Sequence, residues 1–229
     1  MTYDLLIGDR SYSSWSLRGW LLFAAFDIPV RVHLAEMYDE GFASAVAAFA
    51  PGARTVPVAR AASGAAWTDS LAIAEGLAEA HPDAGHWPAE PRARAMARSM
   101  ACEMHSGFGA LRGACPMNLR VAWEGFAPTD AVRADLDRLQ GSWSRARALA
   151  GEGPWLFGPY GAVDAFYAPV AMRIAGYGLP VDDAARAYVD AHLAHAPLRA
   201  WRAEGERRDR TLDVYDQGLP TAPFPINGP

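Results

Sequence analysis

The feature that most constrains the fold is a change of hydrophobic rhythm across His81-Pro82-Asp83-Ala84-Gly85-His86-Trp87-Pro88-Ala89-Glu90-Pro91. Before this segment, apolar runs of strand length alternate with helical stretches; after it, every strong signal has helical spacing. Three prolines and a glycine within the segment can continue neither pattern, so residues 81–91 read as a linker between two differently built parts.

In the first part, Tyr3 to Ile7 has strand character, Trp15 to Phe26 is helical, and Val30 to Leu34 alternates as a second strand. Phe42 to Phe49 forms a short helix stopped by Pro51-Gly52, and Val56-Pro57-Val58-Ala59 is an apolar strand interrupted by proline. Ala65-Ala66-Trp67 adds a last short strand before Asp69-Ser70 starts a helix to about Ala80. The order β-α-β-α-β-β-α predicts an α/β domain over residues 1–80 with a small, four-stranded mixed sheet.

Residues 92–229 then form an all-α domain, with helices expected over Arg92–Leu111, Thr129–Ala150, Ala162–Ala175, Asp182–Ala194 and Leu198–Arg207, and no strand of comparable strength. The tail from Thr211 to Pro229 has four prolines and two glycines. It is expected to be extended or mobile and to lie along the surface.

Charge and composition narrow the partners. A net charge of −5 provides no basic footprint for nucleic acid, and no apolar run reaches the roughly 18 residues needed to span a membrane. Met1-Thr2-Tyr3-Asp4 carries no secretory pattern, which makes the cytoplasm the expected location. All 21 basic residues are arginine, so lysine-based catalysis and the P-loop are excluded. Cys102 and Cys115 lack CxxC spacing and read as two buried free thiols. His192 and His195 are spaced i, i+3; two imidazoles alone make no metal site, so an exposed helix surface is expected and no metal is called for.

Chemistry points to Tyr12-Ser13-Ser14-Trp15-Ser16-Leu17-Arg18, where hydroxyls and backbone N–H groups meet at a helix start suited to an anion or thiolate. Pro57 conflicts with a central strand unless it lies at an edge or in a cis turn. Asp69-Ser70 is an ordinary cap by itself, yet a helix start also receives a carboxylate.

In this order and spacing, these segments resemble the glutathione transferase superfamily over nearly the whole chain. The serine-rich turn is similar to the zeta-type and related bacterial active-site segment, Val56-Pro57 to the family's cis-proline, and Asp69-Ser70 to its acidic-Ser glutathione motif. Gly158 to Pro169 resembles the buried capping box of the helical domain, with Gly161 in place of the usual Ser or Thr. Ala53-Arg54-Thr55 replaces the more usual Gly-Lys or Gly-Arg before Val-Pro, and Trp15 stands where the zeta enzymes have cysteine.

The resemblance implies a thioredoxin-like domain joined to a helical bundle, glutathione as co-substrate, a small electrophile and a homodimer. Val56, Pro57, Asp69 and Ser70 are then the expected glutathione contacts, and Ser13 the hydroxyl that activates the thiol, with Tyr12, Ser14 and Ser16 as alternatives. Trp15, His105, Phe108, Arg112 and Asn118 are the expected second-substrate residues, although His105 also fits a structural role. The activities it leaves open are conjugation, maleyl-acid cis/trans isomerisation and a non-catalytic, stress-related binding module.

Overall fold

The computed structural model describes residues 2–150 and 152–226. The chain begins with a four-stranded sheet made of β1 (Tyr3–Ile7), β2 (Val30–Leu34), β3 (Val58–Ala61) and β4 (Ala66–Trp67), ordered β2-β1-β3-β4. Parallel β1 and β2 need a crossover, which α1 (Ser14–Ala24) supplies, whereas β3 and β4 are antiparallel and close through a tight turn. Alternation along β1 decides which core each residue enters. Tyr3, Leu5 and Ile7 join the main core with α1 and α3 (Ser70–Ala80), while Leu6 joins Ala35, Val46, Ala50, Ala53 and Val58 under α2 (Phe42–Phe49).

The third strand starts two residues later than its apolar run. Val56-Pro57 is a cis peptide, and the ladder begins at Val58, opposite Leu6, because Pro57 has no N–H to donate. Pro57 instead packs against α1, where a Cβ added to Gly19 would lie 2.7 Å from the proline ring.

After a short 3-10 turn at Pro82–Ala84 come α4 (Pro91–Ser106), α5 (Gly109–Ala114), α6 (Asp130–Ala150), α7 (Ala162–Tyr177), α8 (Asp183–Ala194) and α9 (Ala196–Glu206). Helix α7 is buried on nearly every face and packs on α1, α4 and α8, making it the centre of the helical part. Its start is fixed by Asp164, whose carboxylate accepts from Gly161 N (2.9 Å), Leu156 N (3.2 Å) and the Tyr188 hydroxyl (2.8 Å). Gly161 contributes no side chain to this cap, so Asp164 provides the side-chain half alone.

The linker is pinned rather than loose. His86 is buried, its Nε2 lies 3.0 Å from Leu22 O, and its own carbonyl accepts from Ala162 N at 2.7 Å.

Several expectations for the helical part are corrected. The helix expected over Arg92–Leu111 is two helices, because Gly107 is extended and Phe108 left-handed (φ 55°). A Cβ at Gly107 would lie 2.7 Å from Glu103 O, so this break depends on glycine. The helical part also holds a two-stranded antiparallel sheet, β5 (Val121–Trp123) with β6 (Thr221–Pro223).

The tail is therefore extended and anchored, with Phe224 and Ile226 buried, and Arg208 and Arg210 paired with Glu36. Its last three residues lie outside the described ones. Cys102 is exposed and only Cys115 is buried. His192 is buried and His195 half-buried, against the exposed surface expected, because Trp155, Tyr160 and Tyr188 enclose them.

Candidate active site

The serine-rich turn joins β1 to α1 and forms one wall of a cleft of about 630 Å³. Tyr12 to Trp15, Met37 and Tyr38 line it together with Arg112, Pro116, Met117 and Arg173 of the helical part and Val214 and Tyr215 of the tail. A larger hollow of about 800 Å³ lies at the linker, among Trp87, Arg98, Phe157 and Tyr160. It contains none of the turn's hydroxyls, so the smaller cleft is the chemical candidate.

Ser13 is the N-cap of α1. Its Oγ accepts from Ser16 N (3.2 Å) and donates to Ser16 Oγ (2.8 Å), which in turn accepts from Gly8 N (2.9 Å). A hydroxyl hydrogen can rotate between partners. With Ser16 donating to Ser13 instead, the Ser13 proton is released toward the cleft and every heavy atom stays in place.

The other hydroxyls have different surroundings. Ser14 Oγ is 3.4 Å from the Arg173 guanidinium, a long contact, and faces the cleft. Tyr12 packs against Tyr215 (centroids 4.8 Å apart) and meets the Leu212 backbone, while burial raises its pKa above the usual tyrosine value. Ser16 is wholly buried and supports Ser13 from behind.

Asp69 caps α3 by accepting from Leu71 N (2.7 Å), and its other oxygen lies 3.3 Å from His105 Nε2. Ser70 follows at the first helical position with its Oγ buried and unpartnered. His105 meets the Trp15 ring edge-on at 5.0 Å, so two residues expected in separate subsites, Asp69 and His105, form one chain of contacts leading to Trp15.

Arg112 also touches Trp15, with its guanidinium 5.1 Å from the ring centroid. Phe108 is buried at the α4–α5 break and Asn118 caps the Arg120 N–H (2.9 Å) beside a separate depression, so neither lines the cleft. Val56 approaches Gly8, where an added Cβ would be 3.2 Å from its Cγ2.

Two arginines escaped the sequence reading. Arg18 is buried behind Trp15, its guanidinium 4.5 Å from that ring, with Nε and Nη1 unpartnered. Arg173 is buried on α7 and donates to Cys115 O (2.7 Å) and Pro169 O (3.2 Å). Burial, then the charges of Arg173 and Arg112, brings Arg18 down to about 9; burial, then Arg112, brings Arg173 down to about 10. Both stay cationic at neutral pH. The available signal was Arg173 itself, a lone charge on the inner part of a mostly apolar helix.

The sequence model described as glutathione S-transferase, N-terminal domain, matches residues 12–80. No curated protein matches the chain. Among solved structures, a Burkholderia glutathione transferase homolog with bound glutathione is 18% identical, with 91% of this chain and 100% of that one covered and a TM-score of 0.68. A maleylacetoacetate isomerase from Anaeromyxobacter dehalogenans with bound GSH is 24% identical over 92% and 98% of the two chains, with a TM-score of 0.64. Glutathione transferase Omega 3C from Trametes versicolor is 18% identical over 87% of each, also with a TM-score of 0.64. Within the described residues, no helix is long and apolar enough to cross a membrane.

Proposed function

We propose that this chain, a member of the glutathione transferase superfamily by its N-terminal domain and its thioredoxin-like plus helical fold, binds glutathione beside Ser13 and activates the thiol for attack on a small electrophile. The observation that carries this reading is the Gly8 N–H, Ser16, Ser13 hydrogen-bond chain, which ends at the cleft.

A free thiol has a pKa near 8.5 and is only a few per cent thiolate at neutral pH. The start of α1 contributes about 0.3–1 kcal/mol toward the anion, less than one pKa unit. A hydroxyl bond to sulfur, charge-assisted and worth about 1.5–3 kcal/mol, adds roughly one to two units and makes thiolate the major species. The turn has serines where a dithiol would need cysteines, so the reacting sulfur comes from the ligand.

In this reading, domain 1–80 holds glutathione and domain 92–229 closes the cleft across the 81–91 linker. The backbone at Val56, before Pro57, pairs with the cysteinyl part, and the start of α3 at Asp69 and Ser70 receives the γ-glutamyl carboxylate. The thiolate forms a bond to the electrophilic carbon while a leaving group departs with its electron pair, or a π pair shifts to the adjacent atom and takes a proton.

The test is glutathione-dependent thermal stabilisation followed by conjugation assays with several electrophiles. Stabilisation with turnover supports the transferase reading. Stabilisation alone identifies a binding module, and no stabilisation removes glutathione from consideration.

A further inference from the structure

We infer that His105 is a positioning residue that couples the two ends of the glutathione site: it competes with the γ-glutamyl ammonium for Asp69 and sets the ring of Trp15 at the reacting end. The inference rests on the glutathione reading above and deepens it.

His105 belongs to the helical part, in the last turn of α4, yet its imidazole meets two elements of the N-terminal part. Its Nε2 lies 3.3 Å from Asp69 Oδ2 at the start of α3, and its ring meets Trp15 of α1 edge-on, with centroids 5.0 Å apart. The other nitrogen, Nδ1, is buried without a partner, so among the described residues Asp69 is the ring's polar contact. The backbone beneath is clamped. Arg112 Nη1 donates to His105 O (3.3 Å) and Gly107 O (3.1 Å), while the Arg112 guanidinium lies 5.1 Å from the Trp15 ring centroid. With the end of α4 held in this way, the direction of the imidazole is what can change.

The ligand brings the means to change it. A γ-glutamyl end carries an ammonium beside its carboxylate, and a start of α3 that receives the carboxylate brings the ammonium to Asp69. Asp69 Oδ1 already accepts from Leu71 N (2.7 Å), which leaves Oδ2, the oxygen that faces His105. The Asp69 side chain is 47% exposed, so a ligand can reach it. The ammonium bond to this carboxylate is charge-assisted and draws the oxygen away from the imidazole. His105 then shifts against Trp15, which lines the cleft. Linkage makes the effect reciprocal: a second substrate that fixes Trp15 changes glutathione affinity by the same factor.

The experiment compares glutathione with its deaminated analogue, glutaryl-cysteinylglycine, which lacks only the ammonium. Affinities for the full chain are measured by calorimetry, and the Trp15 fluorescence response is taken as the difference from a Trp15→Phe control. Glutathione is expected to change the Trp15 signal and the analogue to leave it unchanged. His105→Phe keeps a ring on Trp15 and gives up Asp69. There glutathione should bind about two- to fivefold tighter, the scale of a partly exposed ion pair, because its competitor is gone; the Trp15 response disappears and analogue affinity stays the same. A histidine that only supports the fold would weaken both ligands instead. His105→Gln keeps a donor toward Asp69 and loses the ring, so it should retain the original glutathione affinity without the Trp15 response, and it replaces His105→Phe if that variant does not fold. A Trp15 response shared by both ligands or kept in His105→Phe overturns the inference, as does glutathione binding no tighter in that folded variant. If the unmodified protein binds neither ligand, the glutathione reading and this inference fall together, an outcome distinct from the others.

Discussion

Replacing Ser13 by alanine separates the capping role seen in the structure from the thiol-activating role proposed for the same hydroxyl. As N-cap of α1, Ser13 Oγ holds Ser16 N, and an alanine there costs about 1 kcal/mol of stability. As the end of the chain from Gly8 through Ser16, it is the hydroxyl proposed to turn toward the sulfur of glutathione. Losing a charge-assisted bond of about 1.5–3 kcal/mol raises the bound thiol pKa by roughly one to two units, back toward 8.5, so the thiolate falls from the major species at neutral pH to roughly a tenth. Ser16→Ala acts only through Ser13, so its pKa effect is smaller, about half a unit or less, by the modest share that cooperativity adds to a hydrogen bond. Its stability cost is larger, about 1–3 kcal/mol, because the buried Gly8 N–H loses its acceptor. The assay is a pH titration of the ultraviolet thiolate absorbance of bound glutathione, paired with denaturant unfolding of each variant. An unchanged titration in Ser13→Ala, together with a raised pKa in Ser14→Ala or Tyr12→Phe, would refute the reasoning.

Other perturbations test the scaffold that positions the cleft. Asp164→Ala leaves the Gly161 and Leu156 N–H groups and the Tyr188 hydroxyl without their carboxylate, and a loss of roughly 3–5 kcal/mol is expected in urea unfolding. Gly19→Ala places a methyl 2.7 Å from the rigid Pro57 ring; it should cost about 1–3 kcal/mol and weaken glutathione-dependent stabilisation, since α1 and the Val56-Pro57 segment must separate. Burial lowers His192 from 6.5 to about 3, so the unfolded chain takes up its proton first. Its contribution is full above about pH 6.5 and declines as pH falls toward 3, by roughly 1.4 kcal/mol per unit. His192→Leu should flatten the fall in unfolding free energy across that window, and an unchanged slope would count against a buried neutral imidazole.

Much of the fold was legible in the sequence because its signals are local. The alternation at Val30–Leu34, the stop at Pro51-Gly52 and the Asp69 cap each act within a few residues, and the corresponding elements stand where expected. The α4–α5 break was hidden because apolar spacing runs through Gly107-Phe108, while the steric limit comes from Glu103 O. β5 and β6 were missed because three-residue strands carry almost no alternation and are defined by pairing across the chain. Within the site, the two helix caps at Ser13 and Asp69 were legible because capping is local. Their partners were not: His105 reaches Asp69, and Arg173 reaches Ser14, only after helices far apart in sequence pack together.

The sequence by itself determined the order of elements, the thioredoxin-like first part and the helical second, since turn chemistry and hydrophobic period act over short range. It also determined that the turn itself offers hydroxyls and no thiol, because it contains serines and no cysteine. Tertiary structure alone decided that Arg18 and Arg112 meet on the Trp15 ring while Arg173 reaches Ser14 beside it. Charges on α1, α5 and α7 affect one another only when packing removes the water that would screen them.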